Sequence, residues 1–384
     1  MKIVHACLGC FFIDNSTYQE NLLPKYHKLL GYDVEVIAST INMSDSGKFI
    51  TMNEGKTYTN EFGIKVTRLP YQSPAKIAKK LCAYKGLYAA LNKAAPDIIF
   101  IHGCQSVEAK TIVNYVKKHP AVKVYVDNHA DFMNSAKNGI SKHILHGILW
   151  KWSAKMLNPY VQKFYGVLPA RVDFLKDVYD LPGNKTELLV LGADDELVEK
   201  TKQSNVRKEI REKYGISDSD VLIVTGGKID RNRPETLNLL EAVDLLHRDN
   251  VKLLVFGNVI DELKPRFDAL VKSDKIICVG WVSASEIYNY FEAGDLIVFP
   301  GLHSVLWEQA VGMGKACLFR RLKGFTHVDI GGNCSFIDDV DTESLRDKLA
   351  GLIDSGSLEE MKKIAEEKGI SYFSYKDIAQ RCIK

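Results

Sequence analysis

Short apolar runs alternate with stretches of helical spacing along this 384-residue chain, and that alternation limits its fold more than any other feature. Lys2 to Ala6, Asp33 to Ala38, Ile64 to Leu69, Asp97 to Ile101, Val122 to Val126 and Lys163 to Val167 read as strands. Between them, helical patterns run over Thr17 to Leu30, Ala75 to Lys93, Gln105 to Lys118, Ser141 to Leu157 and Ala170 to Val178. Strands separated this way pair in parallel, and a parallel sheet needs helices on both faces. The pattern restarts at Val221 to Thr225 and continues through Val251 to Phe256, Ile276 to Val279, Leu296 to Phe299 and Ala316 to Phe319. A chain of this length exceeds what a single core sustains, so an α/β protein with two domains is expected. Residues 1–185 are expected to form the first and residues 186–368 the second, with residues 369–384 a closing helix. The linker is placed near residues 183–203, with Asp194 and Asp195 in a turn.

Ligands of such sheets gather at the carboxyl ends of the strands, so the loops there are the places to look for chemistry. Leu296 to Phe299, then Pro300-Gly301, then a helix from Val305 capped by Ser304 make a strand, turn and helix. Backbone N–H groups at such a helix mouth suit a phosphate. Glu308, about one turn inside the helix, suits a hydroxyl such as that of a ribose, or else is a solvated surface residue. Gly226-Gly227-Lys228-Ile229-Asp230-Arg231-Asn232-Arg233-Pro234 follows another strand. Its glycines permit close backbone approach, and Lys228 and Arg233 suit an anion. Asp127-Asn128-His129-Ala130-Asp131 ends a strand of the first domain with polar and titratable groups.

The segment Phe299 to Phe319 resembles the donor-site segment of the family 4 glycosyltransferases of the GT-B fold, in which Glu308, Ala310, Gly312 or Gly314 and the strand after them match the second half of the signature. The first acid of that signature is replaced by Pro300, with His303 or Ser304 in its place. The resemblance implies two Rossmann-like domains facing a cleft and transfer of a sugar from a nucleoside-diphosphate sugar. It further implies that Lys228 and Arg233 grip the diphosphate, Glu308 holds the ribose, and the amides of Ser304, Val305 and Leu306 meet a phosphate. His129 then sits beside the sugar. Gly9, Gly227, Asn258, Trp281 and Val282 join the donor-binding residues, the last two reading the base. A retaining, metal-independent hexosyltransferase follows, with a UDP- or GDP-sugar as donor substrate and no cofactor. Two alternatives share the site: a GT-B sugar-nucleotide epimerase and a non-catalytic sugar-nucleotide binder.

No G-x-G-x-x-G follows the first strand, and neither a P-loop, a zinc-hydrolase motif nor a nucleophile elbow occurs, which disfavours dinucleotide, P-loop and hydrolase chemistry. Eight cysteines lack the spacing of a disulfide framework. Cys7-Leu-Gly-Cys10 is a lone C-x-x-C, and Asp218/Asp220 and Asp339/Asp341 lack further ligands, so no metal is assigned. With no apolar run long enough to span a bilayer, a cytoplasmic enzyme is expected.

The net charge of +3 conceals an asymmetry: residues 1–180 carry 23 Lys and Arg against 14 Asp and Glu. Between Ser135 and Tyr165, Lys137, Lys142, Lys151 and Lys155 mingle with Ile140, Ile144, Ile148, Trp150 and Trp152. This pattern fits a helix lying on an anionic membrane face, or a core helix with a basic edge. The expected partners are a nucleotide sugar, a glycan or lipid-linked acceptor of surface-polysaccharide assembly and an anionic membrane; no nucleic acid is expected.

Overall fold

The structure is a computed structural model that describes residues 1–44, 49–135, 141–231 and 233–384, apart from the side chains of residues 141 and 142. Lys137, Ile140, Asn232 and the Lys142 side chain therefore lie outside the described residues. Two units are present, Met1–Leu191 with Ile378–Lys384, and Gly192–Asp377.

The strands of the first unit are β1 (Lys2–Cys7), β2 (Asp33–Ser39), β3 (Ile41–Met43), β4 (Phe49–Thr51), β5 (Thr57–Thr59), β6 (Lys65–Leu69), β7 (Ile98–His102), β8 (Lys123–Asn128), β9 (Val161–Gly166) and β10 (Thr186–Leu188). Eight of them form one sheet in the order β10-β9-β8-β7-β1-β2-β6-β5, parallel except for β5 against β6, while β3 and β4 pair as a separate hairpin. The central strands β1 and β7 are buried almost throughout, as a sheet covered on both faces requires. Each buried Val, Ile or Phe there contributes ~1.5–3 kcal/mol.

The second unit holds β11 (Val221–Gly226), β12 (Val251–Phe256), β13 (Ile276–Gly280), β14 (Leu296–Phe299), β15 (Ala316–Arg320) and β16 (Cys334–Ile337), all parallel, in the order β13-β12-β11-β14-β15-β16. Strand order reverses between β1 and β7 in the first unit and between β11 and β14 in the second. Such reversals open a crevice at the carboxyl ends. At the first, backbones touch: a Cβ on Gly103 (φ +81°) would lie 2.8 Å from the Cα of Gly9. Close approach of two loops thus accounts for glycine at position 9.

Several expected boundaries move. The single helix over Ala75 to Lys93 is two, Ala75–Leu81 and Leu87–Ala94, because Cys82 and Gly86 take left-handed conformations between them. The closing helix divides likewise, into Ile370–Tyr372 and Tyr375–Arg381. The turn at Asp194 and Asp195 is instead a helix start, since the Asp194 side chain accepts the Glu196 N–H and caps Asp195–Gln203. Asp341 caps Thr342–Asp354 in the same manner.

Arg68 on β6 fixes the loop that follows β1. It is buried, with Nη1 2.7 Å from the Phe12 carbonyl, 3.1 Å from that of Ser39 and 3.0 Å from that of Ile41, while Nη2 reaches Asp14 at 2.9 Å. Tyr58 donates to the same Asp14 carboxylate. Arg68→Met would take that donor from the three carbonyls and leave Asp14 without its charged partner, with only Tyr58 and Asn42 donating to it. A loss of about 3–5 kcal/mol in unfolding free energy, measured by urea titration, is the expected outcome.

Candidate active site

Loops after β11 and β14 meet at the reversal of the second sheet. Gly227 has φ +105°, and a Cβ there would come within 3.7 Å of the Leu306 side chain. A Cβ on Gly257 (φ +116°) would overlap the Gly227 carbonyl, so the loops after β11 and β12 are locked together, and the Ile229 N–H donates to the Asn258 carbonyl at 2.9 Å. Arg233 packs its aliphatic stem over Gly301, within 3.4 Å of where a Cβ would stand. Its Nε is buried and finds no protein acceptor. Glu235, two residues on, receives Arg320 at 2.8 Å on one oxygen only.

Beyond Pro300-Gly301 the chain turns into the helix Leu306–Gly312, with Trp307 donating its N–H to the Ser304 carbonyl and the Leu306 N–H 3.4 Å from the Ser304 hydroxyl. Glu308 is fully buried, which rules out a solvated surface residue. Its Oε1 receives His303 Nε2 at 2.8 Å and His327 Nε2 at 2.9 Å, and its Oε2 has no protein donor. Burial alone would raise its pKa, but the two imidazoles outweigh this and hold it down at about 2. Trp307 stacks on Phe319 at 4.4 Å between ring centroids, and His303 stands edge-on to Trp307 at 5.2 Å. The outcome is an ionised carboxylate with one oxygen committed and one oxygen lacking a hydrogen-bond donor.

The remaining donor-site candidates of this unit are more open. Lys228 is 65% exposed and its ammonium lies 3.5 Å from Asp230. Trp281 is 68% exposed, Asn258 is exposed and Val282 is half-buried. Just beyond, Ser283 and Glu286 exchange hydrogen bonds as a capping box.

His129 and Gly9 belong to the first unit and form a separate cluster. His129 Nε2 lies 3.5 Å from Asp127 Oδ1 and 3.8 Å from Glu20 Oε1. Burial would lower its pKa, but the two carboxylates raise it above the ordinary histidine value. Cys10, Glu20 and His129 bring three donor atoms within 4.8 Å of one another. Burial and then Glu20 hold the Cys10 thiol well above its usual range, so it is a neutral hydrogen-bond donor there. Asp131 instead pairs with Arg171 at 3.0 Å and caps its own loop by accepting the N–H groups of Met133 and Asn134.

His327 escaped the sequence reading, as did His5, His27 and His102, described below. The loop of His327 follows β15, whose neighbour β14 precedes Glu308; strand order alone would have placed the two loops side by side.

No protein-family model and no curated sequence matches the chain. Solved structures do. A glycosyltransferase from Rickettsia africae superposes with a TM-score of 0.69 at 14% identity, covering 99% of this chain and 96% of that one. Sucrose-phosphate synthase from Thermosynechococcus elongatus gives 0.67 at 13% identity, with 99% and 96% covered. HepE from Anabaena in complex with UDP gives 0.67 at 15%, with 99% and 98% covered.

One test of the site concerns Glu308 alone. Because its folded pKa is depressed, it stabilises the protein above its unfolded value of 4.5, and that contribution is lost as pH falls toward about 2. Glu308→Gln should therefore cost on the order of 3 kcal/mol at pH 7, with the gap from wild type closing between pH 4.5 and 2 in denaturant unfolding.

Two doubly wound parallel sheets, each reversing strand order at a crevice, and these whole-chain superpositions lead to one conclusion: the chain has the GT-B fold of the glycosyltransferases.

Proposed function

We propose that this protein is a family 4 type glycosyltransferase that moves a sugar from a nucleoside-diphosphate sugar to a glycan or lipid-linked acceptor, with retention and without a metal, in surface-polysaccharide synthesis. The observation carrying this reading is the half-satisfied Glu308 carboxylate on the helix that follows β14, with Arg233 packed over Gly301 in the turn before that helix. A carboxylate with one oxygen lacking a donor accepts a hydroxyl well, as a ribose would offer, and a guanidinium whose Nε lacks an acceptor suits a phosphate oxygen. In transfer, the bond from the anomeric carbon to the diphosphate oxygen breaks, and one to the acceptor oxygen forms. Charge grows on the departing diphosphate, where Arg233 and the exposed Lys228 stabilise it. The acceptor hydroxyl passes its proton to the departing diphosphate oxygen. His129, held between two carboxylates, is assigned a place beside the sugar.

Arg233→Ala should lower transfer from radiolabelled UDP- or GDP-sugar by about 10²-fold or more, since it removes a charge that matters most in the transition state. Full activity would sink the donor-site assignment. Appearance of an isomeric donor without an acceptor would instead identify an epimerase, and donor binding without turnover a non-catalytic binder.

The first unit supports the membrane part of the reading. Among the described residues, every exposed large apolar side chain except Leu245 and Trp281 belongs to it. Ile144, Ile148 and Trp152 lie exposed at intervals of four along the continuous helical segments Ser141–Trp150 and Lys151–Leu157, beside Lys151 and Lys155. Phe132 is exposed as well, and it packs on Phe174, which His146 of the same helical segment also touches. No helix among the described residues is long and apolar enough to cross a membrane. The reading is peripheral attachment at the cytoplasmic face. Wild type should float with vesicles containing anionic phospholipid, and Ile148→Ser with Trp152→Ser should not. Wild type that never floats would remove the membrane from the proposal.

A further inference from the structure

A file of buried histidines crosses the interior of the first unit. His102, at the end of β7, places Nδ1 2.6 Å from Asp127 Oδ2. Its Nε2 lies 3.0 Å from Nδ1 of His5, on the adjacent strand β1. His5 Nε2 lies 2.9 Å from Nδ1 of His27, on the helix Gln19–Leu29, and His27 Nε2 lies 3.0 Å from the carbonyl oxygen of Ala379. The three rings and Asp127 have no solvent exposure. Phe100 packs against both His5 and His102, and Tyr32 against His27. Water therefore cannot stand in for a missing partner.

Protons in this file can be counted. It has four contacts, from Asp127 to His102, His102 to His5, His5 to His27 and His27 to the Ala379 carbonyl, and each needs one proton. Three neutral imidazoles supply three. Both ends are acceptors when Asp127 is ionised, because a carbonyl oxygen never donates. With only three protons one buried contact is two lone pairs facing each other, which costs about 1–3 kcal/mol; the Cys382 thiol, 3.5 Å from both His27 Nε2 and the Ala379 oxygen, can donate to one of them but puts no proton between the two. A fourth proton satisfies all four contacts at once, and its charge is matched by the Asp127 carboxylate.

We propose that His102, His5 and His27 together hold one proton more than three neutral imidazoles carry, forming a charge-balanced unit with Asp127, and that this unit sets the electrostatic field at His129. Asp127 is kept ionised by its other oxygen, which accepts the Gly103 N–H at 3.0 Å. Burial, with the neighbouring rings, pushes His5 well below the ordinary histidine value, and burial pushes His27 down to about 4. The extra charge is placed on His102 because that ring is the one in contact with the Asp127 carboxylate. The same Asp127 faces His129 on its outer side. His129 is also faced by Glu20 from the helix Gln19–Leu29, by Cys10 from the loop after β1 and, more remotely, by Arg171 from the helix Pro169–Asp177. Among these groups only the file lies behind Asp127, on the side away from His129. Its positive charge offsets half of the carboxylate pair that His129 meets.

The proton count stands on the geometry alone, whereas its bearing on turnover rests on the assignment of His129 to the sugar site. Both can be read separately. In 15N-histidine NMR of the intact protein at pH 7.5, one ring with both nitrogens protonated and protected from exchange is expected in wild type and in His129→Gln. His5→Phe removes the two inner contacts, and with them the need for the fourth proton, so that signal should vanish. A wild-type spectrum with every file ring neutral overturns the count even if the variant does not fold, and so does a doubly protonated ring that survives His5→Phe. In the pH profile of donor turnover, His5→Phe should shift the limb belonging to His129 upward by about one unit, because Asp127 has lost its counter-charge. A lost NMR signal with an unmoved profile overturns the link to His129 while the count stands.

Discussion

A carboxylate removed from water survives in its ionised form only where opposite charge or hydrogen-bond donors replace the solvent. Glu308 meets that condition with two imidazoles supplied by two different loops, His303 from the turn after β14 and His327 from the turn after β15. The requirement ties the two turns to each other and to the short helix that carries the glutamate. The ribose contact proposed for the second unit depends on that three-residue arrangement, because it presents the remaining oxygen in a fixed position and charge state. Arg233 is set by a different device, the absence of a side chain at Gly301, so carboxylate and guanidinium are positioned independently.

The first unit solves the same problem on a larger scale. Asp127 is buried at the end of β8 and draws on a row of rings from β7, β1 and a helix rather than on two loops. On neighbouring parallel strands His5 stands opposite Phe100, and His102, two residues further along β7, reaches the same ring, while the helix following β1 supplies His27. His5 within β1, His102 and Asp127 at the ends of β7 and β8, and His27 on the helix are thus a consistent set, each satisfying the next.

Much of this architecture was legible in the residues. The alternation of buried strands and amphipathic helices gave the doubly wound class, because period and run length are local properties. The glycine-rich turn at Gly226-Gly227 and the strand, turn and helix around Pro300 marked the right end of the second sheet for a similar reason. What stayed hidden depends on contacts between distant segments. Glu308 could equally have faced solvent, since nothing within its own helix reveals His327, nineteen positions away. His5 looks like an isolated polar residue in a strand until His27 and His102 are brought to it. The break at Cys82 escaped for a more local reason, in that a left-handed cysteine carries no compositional signal of the kind glycine provides.

Residues 378–384 belong with Met1–Leu191, and the far end of the histidine file terminates on the carbonyl of Ala379. During synthesis the amino-terminal half emerges first, yet its interior lacks the last acceptor until the final stretch has been made. In the interval, His27 faces a position that only late-translated chain can fill. The strands around β1 are all made early, but the packing over His27 is closed only by residues that follow the second unit in the chain.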